Sequence, residues 1–336
     1  MSDHIRKHYC PPYLGDDILF QIFVKCHPKT VGRLRALSKY WSIKLNGVEF
    51  AKQNWLERNE RDQSLLICYG YTSYNDRAHW FVRVRAETGE EIPMDLPFEL
   101  VDYGYFSMIG SDMDNLCIRF SGNGHDHKII VWNPITKDMV ELQDQAHEYW
   151  GFTVSTYAFG FLPDCISYRV VYFFKKDYDD RELQWVLWNS DDRRWNQYGM
   201  FVSDISKIGP TFVLDNSVAY FIGWGGLFNI HPSHIIGFCL QDGDMFQDEI
   251  PKDKVRRFNS ITKFNHGLGY VAYEDIDFSK EVTVWSLTRT NEKKFTWEKM
   301  INISDFAIPY TPTILHGSNI LSILDTRSTT TGANDD

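Results

Sequence analysis

No part of this 336-residue chain is basic enough to grip a phosphate backbone. Its 35 lysines and arginines are outnumbered by 45 aspartates and glutamates, and the cations never gather into a run. A net charge of −10 therefore points away from nucleic acid as a partner, because that binding needs a dense cationic patch. An apolar stretch long enough to span a bilayer is also missing. Residues 1–12 mix His4, Arg6, Lys7 and His8 without the apolar centre of a secretory signal. These absences lead us to expect a soluble protein of the cytoplasm or nucleus with no membrane partner. The six cysteines (Cys10, Cys26, Cys68, Cys117, Cys165 and Cys239) include no C-x-x-C pair. Neither a zinc ribbon nor a dithiol centre is expected, and the thiols read as buried side chains.

Signatures of catalysis and cofactor binding are equally scarce. The densest polar cluster, Gly122-Asn123-Gly124-His125-Asp126-His127, sits between two apolar runs and has the Gly/Asn content of a hairpin turn. A metal site would need further ligands and an outer shell that one loop does not supply. Asp177-Tyr178-Asp179-Asp180 and Asp275-Ile276-Asp277 lack the Gly and distant Glu of a calcium loop. The Gly122/Gly124 pair has no following helix to receive a phosphate. The expectation is a chain with no cofactor, no metal and no catalytic residues.

What the sequence does contain is 43% hydrophobic residues, ample for a core, arranged in two patterns. From Asp16 to about Arg58 the period is helical. Ile18, Leu19, Ile22 and Phe23 gather on one face while Asp17, Gln21 and Lys25 face away. Pro28 ends that helix and suits the first turn of the next. Leu34, Leu37 and Trp41 follow as one stripe, and Phe50, Trp55 and Leu56 suggest a closing helix. Beyond Asp62 short runs rich in Val, Ile, Tyr, Phe and Trp take over, separated by Gly, Asn, Asp and Pro, so the remainder reads as all-β.

One segment recurs within the β part: an apolar strand ending in an aromatic residue, a polar turn, then another apolar or aromatic residue. The copies are Ile129–Lys137, Trp185–Trp195, Ile235–Phe246 and Val282–Trp297, with a weaker one from Trp80 through Glu90. They begin roughly 45 to 55 residues apart, the spacing of four-stranded blades in a β-propeller. A small sheet of this kind cannot bury both its faces alone, so neighbouring sheets must stack. A kelch-like propeller is the preferred architecture, with a two-sheet sandwich as the alternative. Trp132, Trp188, Trp285 and Trp297 recur at equivalent places and read as core. Tyr149, Trp150, Trp224 and Phe228 lie in irregular or Gly-rich stretches and are the candidates for a recognition surface on loops. The predicted divisions are a helical module over 10–58, a β domain over 62–325 and a disordered tail over 326–336.

Leu14-Gly15-Asp16-Asp17-Ile18-Leu19-Phe20-Gln21-Ile22-Phe23, Pro28-Lys29-Thr30 and Arg33-Leu34-Arg35-Ala36-Leu37-Ser38-Lys39-Tyr40-Trp41 together resemble an F-box. Trp132-Asn133-Pro134-Ile135-Thr136 and Tyr157-Ala158-Phe159-Gly160-Phe161, followed by Tyr168-Arg169-Val170-Val171, resemble the F-box-associated domain of plant F-box proteins. The two departures from the F-box pattern are Gly15, where family members usually carry proline, and Gly32, where helix-favouring residues are usual. The resemblance implies that the helical module binds a Skp-type adaptor, and through it a cullin, while the β domain holds a target protein for ubiquitination. It places adaptor binding on Leu14, Ile18, Leu19, Ile22, Phe23, Pro28, Leu34, Leu37 and Trp41. These are more apolar side chains than a helical hairpin hides by itself, so some must face a partner. The alternative is a module that binds or sequesters its partner without a ligase, a reading kept open by Gly15 and Gly32.

Overall fold

The computed structural model describes residues 14–61, 64–72, 77–85, 91–93, 103–122, 127–134, 137–143, 154–175, 181–225, 231–255, 258–264, 267–276, 279–290, 294–304, 313–315 and 322–324. The chain divides into two compact units, Met1–Asp62 and Gln63–Asp336. Among the described residues no helix is long and apolar enough to cross a membrane. The tail over 326–336, Tyr149, Trp150, Phe228, Asp177–Asp180 and the turn 123–126 lie outside the described residues.

The first unit holds four helices: α1 (Asp16–Val24), α2 (Pro28–Leu34), α3 (Lys39–Leu45) and α4 (Val48–Arg61). Their core is Phe23, Val24, Val31, Trp41, Leu45 and Phe50, with Leu19, Phe20, Cys26 and Leu34 packed against it. Phe23 meets the Trp41 indole edge-on at 4.8 Å between centroids, and Phe20 meets Phe50 in the same way at 5.5 Å. α4 buries the polar side chain of Asn54 there. Its Nδ2 donates to Val24 O at 2.6 Å and Cys26 O at 3.0 Å, satisfying carbonyls that the end of α1 would otherwise leave open.

The second unit is a succession of antiparallel sheets in which each strand pairs with its sequence neighbour. β1 (Ser64–Thr72), β2 (Arg77–Arg85) and β3 (Glu91–Pro93) make a three-stranded sheet. Four four-stranded sheets follow. They are β4 (Tyr103–Asp112) to β7 (Met139–Gln143) by way of β5 (Asn115–Gly122) and β6 (His127–Trp132); β8 (Val154–Phe161) to β11 (Arg194–Val202) by way of β9 (Tyr168–Lys175) and β10 (Glu182–Asn189); β12 (Ile205–Asp215) to β15 (Met245–Glu249) by way of β13 (Val218–Gly225) and β14 (His234–Cys239); and β16 (Phe258–Phe264) to β19 (Phe295–Ser304) by way of β17 (Gly267–Ile276) and β18 (Ser279–Arg289). A short pair, β20 (Thr313–Leu315) and β21 (Ser322–Leu324), closes the order. The recurring aromatic segments fall on β6, β10, β14 and β18, the third strand of each four-stranded sheet.

The turns explain the polar half of each copy. After β6, β10 and β14 one residue takes a left-handed backbone: Lys137 (φ 66), Arg193 (φ 53) and Gly243 (φ 76). The Lys137 and Gly243 N–H groups return to the carbonyls of Asn133 and Cys239, four residues earlier, at 2.8 and 2.9 Å. The first hairpins of two sheets are tighter. Met113-Asp114 and Asn216-Ser217 both have positive φ throughout and join strands across two residues, the turn whose twist matches that of the strands it joins.

The middle strands are apolar on both sides, and the side chains alternate between two interfaces. From β9, Val170, Tyr172 and Phe174 pack with Cys117, Ile129, Val131 and Leu142 of the preceding sheet. Val171 and Phe173 pack with Ile205, Phe221, Ile236 and Phe238 of the next. The pattern repeats from β13: Ala219 and Phe221 face back, while Val218, Tyr220 and Ile222 face Leu268, Tyr270, Trp285 and Leu287. Sheets with both faces covered stack in series, as blades do, whereas each sheet of a two-sheet sandwich has one face in the core.

Trp132, Trp188 and Trp285 are buried, and Trp297 packs partly against the last of these cores. Cys26, Cys117, Cys165 and Cys239 form no disulfide, and of these four Cys117 is fully buried. The other three sit at turns and strand ends, which the sequence reading of uniformly buried thiols did not anticipate.

Two glycines are set by aromatic neighbours across a strand pair. Trp185 is the register partner of Gly199, and Phe246 that of Gly237. In each case the ring lies over the glycine, where a Cβ would overlap it. Gly237→Ala is expected to destabilise the β unit by about 1–3 kcal/mol through overpacking of the Phe246 site. Urea unfolding followed by tryptophan fluorescence measures this, and an unchanged midpoint would show that the ring moves aside freely.

Asp112, at the end of β4, ties neighbouring sheets together: its Oδ2 accepts from Phe161 N at 2.7 Å, and Phe161 O accepts from Ser217 Oγ at 2.9 Å. Burial pushes the Asp112 carboxyl above its ordinary value, against the opposing pull of the Phe161 and Met113 N–H groups and of Lys263. The native state therefore holds this proton more tightly than the unfolded chain. The group's contribution to stability falls as pH rises from the ordinary carboxylate range through the raised value, then levels off. Asp112→Asn, which keeps an acceptor for Phe161 without the charge, is expected to raise the melting temperature at neutral pH and flatten its decline over the acidic range. A pH series of thermal unfolding checks both.

Candidate functional site

α1 begins at Gly15, which takes φ −57 and ψ 150 and offers no side-chain cap. This is a backbone that proline also adopts, so the entry to α1 does not require glycine. Asp16 and Asp17 occupy the first turn, where negative charge complements the exposed N–H groups. The apolar positions of α1 cover a wider arc than one neighbouring surface can bury, since successive residues are turned by about 100°. Phe23 enters the core and Leu19 is half-buried against it. Ile18 and Ile22, one turn apart, remain outside, and Ile18 is 54% exposed.

The expected stripe of Leu34, Leu37 and Trp41 is split in the structure. α2 stops at Leu34, and Ser38 starts a new helix by accepting a hydrogen bond from Trp41 N on its Oγ at 3.1 Å. Serine competes for such caps more readily than it continues a helix. Leu34 consequently packs against the core and Trp41 is buried in it, while Leu37 stands in the linking turn at 63% exposed.

α3 adds two exposed apolar side chains that the sequence reading missed, Tyr40 and Ile43, the latter 67% exposed. The signal was present: once Ser38 is read as a cap, Tyr40 and Ile43 fall one turn apart on a new helix. Lys44 joins α3 to α1. Its ammonium lies 5.3 Å from the Phe20 ring centre, 5.4 Å from that of Tyr40 and 5.6 Å from that of Trp41, and it donates to the Tyr40 hydroxyl at 3.1 Å. That hydrogen bond, with the charges of Asp17 and Asp16 adding to it, holds Lys44 above the ordinary lysine value.

Of the residues assigned to adaptor binding, Leu14, Ile18, Ile22 and Leu37 are exposed. Leu19 and Leu34 are half-buried, and Phe23 and Trp41 belong to the unit's own core. These last two hold the module together and are not open to a partner. Pro28 starts α2, and its side chain lies outside the described residues. In the β unit Trp224 is not on a loop. It is near the end of β13, half-buried against the core shared with the following sheet, with the Lys207 ammonium 5.6 Å from its ring centre. No group of three or more metal-ligating side chains occurs among the described residues.

Gly32 lies within α2 with open space where a Cβ would stand. Gly32→Ala is expected to stabilise the helical unit by about 0.5–1 kcal/mol by removing glycine's entropy cost, read as a higher denaturation midpoint. A lower midpoint would mean that the helix needs glycine here.

No family model matches the chain, and no curated protein matches it. Among solved structures it is similar to TolB from Acinetobacter baumannii (11% identity, TM-score 0.40, covering 73% of this chain and 58% of that one). It is likewise similar to the WD40 domain of SCAP from fission yeast (10%, 0.34, 76% and 70%). A third is a post-proline cleaving enzyme from Rickettsia typhi (11%, 0.36, 88% and 53%). Likenesses of this size carry no conclusion about activity, and the fold described here rests on the strand pairing and the cores of the chain itself.

Proposed function

We propose that the chain is a non-catalytic substrate receptor of a cullin-RING ubiquitin ligase. Its helical unit is the F-box that docks a Skp-type adaptor, and its β unit is a kelch-like propeller that holds the target. The observation that carries this reading is the set Leu14, Ile18, Ile22, Leu37, Tyr40 and Ile43. These side chains stay exposed on a helical unit whose core is already filled by Phe23, Trp41 and Phe50. Burying each one is worth about 1.5–3 kcal/mol in gross terms, so several together outweigh the cost of association. All of these residues except Ile43 lie within the segments that resemble the F-box pattern. The contribution to ubiquitin transfer is proximity: the receptor holds a target near the loaded enzyme, with no covalent step on its own side chains.

The test is capture of purified Skp-type adaptor and cullin by the intact chain, beside a variant carrying Ile18→Asp and Leu37→Asp. Both side chains are exposed, so the variant is expected to keep its melting temperature and to lose adaptor binding by about a hundredfold or more, as apolar contacts become buried charges. A well-folded intact chain that captures no adaptor would sink the receptor reading and favour a sequestering module.

A further inference from the structure

From Lys25 to Val48 the chain carries Lys25, Lys29, Arg33, Arg35, Lys39 and Lys44 and no aspartate or glutamate. On a protein of net charge −10 this is a segment of the opposite sign, and it spans α2, α3 and the turn between them. Acidic groups of the same unit act at its two ends: Asp16 and Asp17 on Lys44, and Glu57 on Lys25 at 3.8 Å.

A hydroxyl stands in the middle of this segment. Ser38 lies in the turn that joins α2 to α3, with Arg33 and Arg35 five and three residues before it. Its backbone is extended (φ −163, ψ 161), and its side chain is exposed, as are those of Arg33, Arg35 and Lys39. Accepting a hydrogen bond from Trp41 N uses one lone pair of its Oγ and leaves another for reaction. The other hydroxyls of α2 and α3 are placed differently. Thr30 has Lys25 and His27 where Ser38 has its arginines, and Ser42 is half-buried within α3.

An exposed serine on extended backbone with two guanidinium groups behind it suits a kinase groove lined with carboxylates, because each guanidinium forms paired bonds with a carboxylate. Arg33 sits in the last turn of a seven-residue helix that contains Gly32, and such a turn opens at low cost.

The effect of a phosphate at this place follows from its neighbours. Leu37, 63% exposed, and Tyr40, 49% exposed, flank Ser38 and belong to the surface proposed above for the adaptor. A phosphate between them carries about 1.5–2 negative charges at neutral pH. Arg33, Arg35, Lys39 and water solvate it in the free chain, whereas docking strips the water away and charges an apolar interface. A phosphate oxygen can still cap Trp41 N, so α3 keeps its start.

We propose that Ser38 is a phosphorylation site for an arginine-directed protein kinase, and that the phosphate blocks adaptor docking while the helical unit stays folded. In the transfer Ser38 Oγ attacks the γ-phosphorus of ATP. An O–P bond forms as the bond to the β,γ-bridging oxygen breaks, the hydroxyl proton passes to a carboxylate of the kinase, and ADP leaves. This deepens, and rests on, the reading of the helical unit as an adaptor-binding module.

The test begins with the full chain, ATP, magnesium and either protein kinase A or protein kinase B, with the phosphate located by mass spectrometry. Arg83, Arg85 and Thr88 repeat the arginine spacing, and Thr88 lies outside the described residues, so every protein also carries Thr88→Val. Phosphate on Ser38 is expected, and Arg33→Gln with Arg35→Gln is expected to slow its addition by about tenfold or more. Adaptor capture is then measured on the unmodified chain, the phosphorylated chain, Ser38→Asp and Ser38→Asn, all of which keep an oxygen for the cap. The unmodified chain and Ser38→Asn are expected to capture adaptor alike, the phosphorylated chain about tenfold or more weakly, and Ser38→Asp in the same direction by less. The melting temperature of the phosphorylated chain is expected to be unchanged, and a fall large enough to unfold the helical unit would assign the loss to unfolding and overturn the block. Absence of phosphate on Ser38 with both kinases, or full capture by the chain phosphorylated there, overturns the proposal and leaves the receptor reading standing. Failure of the unmodified chain to capture adaptor is instead a failure of the receptor reading, and the blocking role falls with it.

Discussion

The β unit depends on a single constraint: its middle strands are apolar on both faces, so no sheet can be stable until a neighbour covers each side. Along β9 the residues from Val170 to Phe174 are all buried, alternating between one interface and the next. Strands that alternate apolar with polar residues would be satisfied by one partner sheet. These require two, and serial stacking follows from the period-2 geometry of the strand together with the gain from keeping each apolar side chain out of water.

The stacking decides several local features. Facing sheets approach closely enough that the Phe212 ring lies over Gly110 and the Leu214 side chain over Gly160, where a Cβ would overlap each. It also brings the turn ends of adjacent sheets together, and there Asp112 and Ser217 bond the two sides of Phe161. Lys263 adds a further bond between sheets, reaching Asp215 Oδ1 at 2.8 Å. Such polar links contribute less than the cores, but they define which sheet edge meets which, because a buried carboxylate or hydroxyl without its partner is costly. The outer strands lie beyond these constraints. Among the last strands of the four-stranded sheets, β11 carries no charge from Asn196 to Val202.

The helical unit obeys the opposite rule. Its core is complete with a few residues, Asn54 satisfies the carbonyls at the end of α1, and Ser38 divides what would have been one helix into two. That division decides the candidate site. It sends Trp41 inward and leaves Leu37, Tyr40 and Ile43 outside, so the apolar surface left for a partner comes from α1, a turn and α3, where the sequence pattern suggested two continuous stripes.

Much of this was legible in the residues. The switch of hydrophobic period near Asp62, the helix start at Pro28 and the recurrence of an aromatic strand with its polar turn follow from local chemistry, and local chemistry is written along the chain. The recurring copies fell on the third strand of successive sheets, and a left-handed turn position recurs after β6, β10 and β14. Burial could not be read this way. Ile18 and Phe23 are equally apolar and lie on the same helix, yet one is exposed and the other is core. Trp224 looked like part of a Gly-rich loop and proved to be a strand residue packed against the next sheet. Asn196 gave no sign of the bulge that turns Tyr198 onto the face of Trp195. The sequence by itself determined which segments are helix or strand and where they turn, since those choices depend on neighbours in the chain. Only the tertiary structure decided which apolar side chains were left without a partner, because that depends on how much surface each packed element has room to cover.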